Sequence, residues 1–156
     1  MGAIFAAAGC ILRSVQLVGA YFGAGFVSHR VIYIAMLCLL CGGFAVLAYE
    51  KKGKASFWAI IASAVSLLST VMGNMSSGND ALRVLSAVFL VATFLAAGLH
   101  CFAASNGNML KISLGAVTVF LAVVCGVFAA GVIVNPVVIL AVLVAAYITT
   151  GAAVVI

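Results

Sequence analysis

Arg13 stands inside the apolar run GCILRSVQLVGAYFGAG, with Gln16 one helical turn further on. A guanidinium in such surroundings holds an anion or binds polar groups of neighbouring helices. The same two uses apply to Ser63, Ser66 and Thr70, which share one helical face with Ser56, Ala59, Gly73 and Asn74. Arg13, Gln16, Ser63, Ser66 and Thr70 are therefore candidates for a polar path, or for buried contacts between helices. Other reactive side chains offer less. Cys38 and Cys41 have C-x-x-C spacing but lie in unbroken apolar sequence, where thiols behave as small hydrophobes rather than as a redox pair. His29 and His100 fall at opposite ends of the expected architecture, which argues against a haem or metal shared between them. Glu50 and Asp80, the two acidic residues, lie at segment ends, and Asp80 has Arg83 one turn away. No nucleophile, base and orienting acid can be assembled from this set. The expectation is a chain that is not an enzyme, with no cofactor and no metal site.

The elements that must position these groups follow from composition. Of 156 residues, 68% are hydrophobic and 6% are charged, against about 25% charged in an ordinary soluble domain. Such a chain reads as one domain, residues 1–156, whose partner is the lipid bilayer. The net charge of +5 is not arranged with the interleaved aromatic and polar residues that nucleic-acid binding requires. Apolar stretches near the ~20 residues that cross a bilayer fall at about 3–28, 31–49, 55–73, 82–103, 109–133 and 136–156. Between them lie His29-Arg30, YEKKGK, GNMSSGND, SNGN and Asn135-Pro136. The single proline sits where a helix tolerates one, in its first turn. Runs such as VVILAVLVAAYI do not alternate, so a membrane β-barrel is excluded. The fold class expected is an all-α integral membrane protein, a compact bundle of about six transmembrane helices with very short loops.

Six spans collect Lys51, Lys52, Lys54 and Lys111 on one side and Arg30 and Arg83 on the other. Since cytoplasmic loops are enriched in Lys and Arg, both termini are expected in the cytoplasm. Residues 1–10 carry no basic residue, so the first segment reads as a retained helix rather than a signal peptide. The triplet Asn74-Met75-Ser76 is a glycosylation sequon on the expected outer side.

On a helical wheel, Ala6, Gly9, Arg13, Gln16, Ala20, Gly23 and Ala24 share one face of the first span. Ile4, Ile11, Val15, Val18, Phe22 and Phe26 share the other. The Arg13 face should point inward. Gly19, Gly23, Gly42 and Gly43 are expected to serve helix packing, because small residues let helices approach closely in lipid. ILRSVQ and ALRVLS place Arg13 and Arg83 70 residues apart, and two such halves of three spans would have opposite topology, as in many transporters.

LAYEKKGKASF between two spans resembles the acetate and succinate transporter family, whose Asn-Pro-Ala-Pro-Leu-Gly signature is absent here. LRSVQLV resembles the opening of four-span MARVEL proteins, although two more spans follow. Neither resemblance carries site residues across. Two function classes stay open: an oligomeric channel or transporter for a small solute, anions among the candidates, and a non-catalytic accessory or structural subunit of a larger membrane complex.

Overall fold

The computed structural model describes residues 1–23, 30–76, 78–131 and 135–156. It contains six α-helices: α1 (Gly2–Tyr21), α2 (Arg30–Glu50), α3 (Lys54–Met75), α4 (Asp80–Ala103), α5 (Met109–Ala129) and α6 (Pro136–Val155). All six are long and apolar enough to cross a membrane.

Local sequence explains where they start and stop. Asn79, Asn108 and Asn135 are N-caps, each accepting a hydrogen bond at 3.0 Å from the backbone N–H two residues on. Pro136 then occupies the first turn of α6, where its missing N–H is not needed. The first helix stops at Tyr21, short of the expected residue 28. Phe22 and Gly23 close it by donating to the carbonyls of Val18 and Ala20, and Gly23 turns the chain with φ 72°. The expected inward position Ala24, and His29 in the connection that follows, lie outside the described residues. The fifth helix likewise ends at Ala129 rather than 133.

Consecutive helices pack side by side, α6 returns to α1, and α4 also meets α6. Helices α1, α2, α3, α4 and α6 thus enclose a common interior, and α5 braces α4 and α6 from outside. One end of the bundle carries Lys51, Lys52, Lys54 and the first turn of α5 with Lys111; the other carries Asn74, Asp80 and Arg83. These are called the lysine end and the far end below.

Glycine sets the closest approach. A Cβ on Gly9 would lie 2.5 Å from the backbone nitrogen of Leu40, and one on Gly2 equally close to that of Leu47. Gly43 in turn meets the backbone of Ala6. Helices α1 and α2 therefore pack almost backbone to backbone.

Polarity runs opposite to that of a water-soluble domain. Ile4, Ile11, Val84, Phe120 and Val123 are exposed, whereas Gln16, Ser66, Thr93, Thr118 and Thr150 are buried. The two halves are not equivalent. α4 touches α6, but α1 does not touch α3. Arg13 lies past the middle of α1, whereas Arg83 lies in the first turn of α4.

Candidate functional site

The ring of five helices leaves a cavity of about 210 Å³ between the middle of the bundle and its far end. Arg13 enters it from α1, Tyr33 and Leu40 from α2, Ser66, Ser69, Thr70, Gly73 and Asn74 from α3. Ser86, Leu90 and Thr93 complete it from α4, and Tyr147 from α6. Gly73 and Asn74 are exposed and mark the mouth, while Ser66, Thr93 and Tyr147 are buried at the inner end. Toward the lysine end the interior is filled by Phe44 and by Phe94, which packs edge-on against Tyr147 with ring centroids 4.9 Å apart. The cavity thus opens toward the far end and is packed toward the lysine end.

Arg13 reaches this space because α1 directs its small face inward. Ala6, Gly9 and Gln16 are buried; Ile4, Ile11, Val15 and Phe22 point outward. One guanidinium nitrogen donates to Gln16 Oε1 at 3.4 Å, and Tyr147 lines the same cavity. No carboxylate neutralises it. The chain has two acids, and each is held elsewhere. Glu50 lies 3.0 Å from the amino group of Met1 and accepts the Gly2 N–H at the start of α1. Asp80 lies 3.3 Å from Arg83 on the exposed far end. Among the described residues Arg13 is thus a cation without a counter-charge, and it lines the cavity with one side-chain hydrogen bond, to Gln16.

The hydroxyl stripe of α3 divides in two. Ser56 donates to the Ala48 carbonyl at 2.6 Å and Ser63 to that of Cys41 at 2.8 Å, so these two fasten α3 to α2. Ser66 and Thr70 face the cavity, together with Ser69. Ser69 and Ser86 exchange hydrogen bonds, each Oγ–H donating to the other's carbonyl at 2.9 Å. That pair joins α3 to α4 beside the mouth. Arg13, Ser66 and Thr70 are thus brought to one space, with Gln16 directly behind Arg13, while Ser63 lies outside it.

Sequence reasoning passed over Ser69, Ser86, Thr93, Tyr33 and Tyr147. A usable signal existed for Tyr33 and Tyr147, because a tyrosine hydroxyl within an apolar span needs a partner. Tyr33 finds one in the Thr70 carbonyl at 3.1 Å.

The remaining candidates lie apart. Gly42 has nothing near it, and Gly23 sits in the turn after α1. Gly19 borders a shallow outward groove of about 350 Å³ with Ser14, Val15 and Val18. Cys38 is exposed, and Cys41 Sγ lies 3.1 Å from Ser66 Oγ. At the lysine end, His100 Nδ1 donates to the Ala55 carbonyl at 2.8 Å, and its buried Nε2 has no partner among the described residues. Nor do three His, Cys, Asp or Glu side chains gather among those residues where they could hold a metal ion.

No family model matches the chain, and neither a curated protein nor a solved structure is similar to it.

Proposed function

We propose that this chain is a multi-pass integral membrane protein that binds a small anion at Arg13 and carries it across the bilayer. The observation behind this reading is the uncompensated Arg13 guanidinium in a hydroxyl-lined cavity. An Arg at the centre of a membrane helix costs roughly 2.5 to 3.5 kcal/mol on insertion scales, and such residues mark ion or substrate pathways. In a purely structural role a carboxylate or carbonyl partner would offset that cost. Here Gln16 supplies one long contact, and a bound anion would supply the rest.

A cavity open toward the far end and filled beyond Phe94 and Tyr147 suits a carrier that exposes its site to one side at a time better than an open pore. The lysine-rich end is read as cytoplasmic, with both termini there. On this reading the chain is no enzyme, and several copies assemble in the membrane. The groove at Ser14, Val15, Val18 and Gly19 favours a second reading, in which a helix of a larger complex docks there and the chain is its non-catalytic subunit.

Flux into proteoliposomes separates the two. Wild type should pass small carboxylates or inorganic anions, Arg13→Lys should retain most of the rate, and Arg13→Met should reduce it at least tenfold while remaining folded. Flux that survives Arg13→Met would remove Arg13 from the path. Absence of flux with every solute, together with loss of a co-purifying partner in the Met variant, would establish the subunit role instead.

A further inference from the structure

The cavity's hydrogen-bonding groups are sorted by sign. Ser66 donates to the Ser63 carbonyl at 2.9 Å, Thr70 to that of Ser66 at 2.7 Å and Thr93 to that of Phe89 at 2.8 Å. Ser69 and Ser86 donate to each other's carbonyls, and Tyr33 donates to the Thr70 carbonyl. A carbonyl oxygen only accepts, so in each pair the hydroxyl proton is already engaged. What these side chains have left to offer a ligand is oxygen lone pairs, one of those on Ser66 being met by the Cys41 thiol. Opposite them, α1 and α6 present the Arg13 guanidinium, which only donates, and the Tyr147 hydroxyl. At the mouth Asn74 adds an amide that both donates and accepts; deeper in, the α1 and α6 side gives hydrogen bonds and the hydroxyls of α3 and α4 receive them.

A halide, nitrate or simple alkyl carboxylate would satisfy the donor wall and leave the acceptors of α3 and α4 unmet. From this we infer that the cavity selects a small monocarboxylate carrying a hydrogen-bond donor, a hydroxyl or an ammonium, on the carbon next to the carboxylate. The carboxylate lies on Arg13, and the donor faces the hydroxyl oxygens of α3 and α4. Charge fits, because Arg13, the one cation lining the cavity among the described residues, meets a single carboxylate. Size fits as well: 210 Å³ is about the space of seven liquid waters, enough for a three-carbon acid. The inference rests on the anion reading of Arg13 and fails separately from it.

Titration calorimetry of the full chain in detergent tests it with chloride, propionate, lactate and alanine. The last three share a three-carbon skeleton and differ in the donor. Lactate, alanine or both should bind about tenfold more tightly than propionate, the worth of one hydrogen bond, and chloride more weakly still. Thr93→Val and Ser66→Ala each remove one deep acceptor, and two variants are used in case one does not fold. In one or both, the preference over propionate should shrink while propionate affinity stays within twofold. Propionate binding as tightly as lactate and alanine, or a preference unchanged in both variants, overturns the selectivity and leaves the anion site standing. No heat from any of the four, or equal binding by Arg13→Met, overturns the anion site itself.

Discussion

Gln16 steadies Arg13 from one turn away without neutralising it, at 3.4 Å from oxygen to nitrogen. Replacing it by the isosteric acid sharpens the electrostatic claim. Gln16→Glu would place a carboxylate where the amide oxygen now sits, so an internal anion would compete with any external one. We expect at least a tenfold loss of anion flux, with the melting temperature unchanged or raised, because the half-buried cation gains a partner. Undiminished flux would mean that the guanidinium does not meet the solute. Arg13→Met should likewise melt no lower than wild type, since Met replaces the apolar stem and removes a half-buried, uncompensated charge. Arg13 and Gln16 were legible in the sequence because their spacing puts them on one face of one helix. Ser69, Ser86 and Thr93 were not, because their part in the cavity depends on which helices meet, and for Tyr147 the sequence signalled only that its hydroxyl needs a partner. Tyr147 lies in a run that is otherwise apolar apart from two threonines, and only the approach of α6 to α4 and α1 gives its hydroxyl a place.

At the scale of the helix, glycine decides which pairs come together. Gly9 faces the backbone of Leu40, whereas Gly42 has open space where a Cβ would go. Gly9→Val should therefore force α1 and α2 apart and lower stability by about 1 to 3 kcal/mol, the usual effect of overpacking. Gly42→Val should leave folding unaffected. Thermal melting of the two variants in the same detergent checks this, and equal behaviour would contradict the α1–α2 packing described. The existence of six helices could be read from apolar run length, and three of their starts from Asn79, Asn108 and Asn135. The end of α1 could not, because Ala20 to Phe26 is as apolar as the helix itself and only the positive φ of Gly23 marks the stop. The packing glycines were equally hard to choose in advance. Hydropathy does not distinguish Gly43, pressed against Ala6, from its neighbour Gly42.

For the whole molecule, the even number of helices puts the start of α1 and the end of α6 at the lysine end. In a cysteine-free background, single cysteines at positions 52 and 79 should label from opposite sides of the membrane. Labelling of both from one side would contradict the six-span arrangement. The enclosed ring is a property that run lengths alone do not contain. It depends on α6 returning to α1 and on α5 standing aside, and that arrangement gives Arg13 a cavity rather than a lipid face. The claim that this cavity is an anion site is tested most directly by the melting temperature of wild type and Arg13→Met as small carboxylates are added at constant ionic strength. A ligand that binds the folded state alone stabilises it by about 2.7 kcal/mol at a hundred times its Kd. The wild type should therefore melt several degrees higher with the carboxylate, and Arg13→Met should not shift. An equal shift in both proteins, or none in the wild type, would contradict the account.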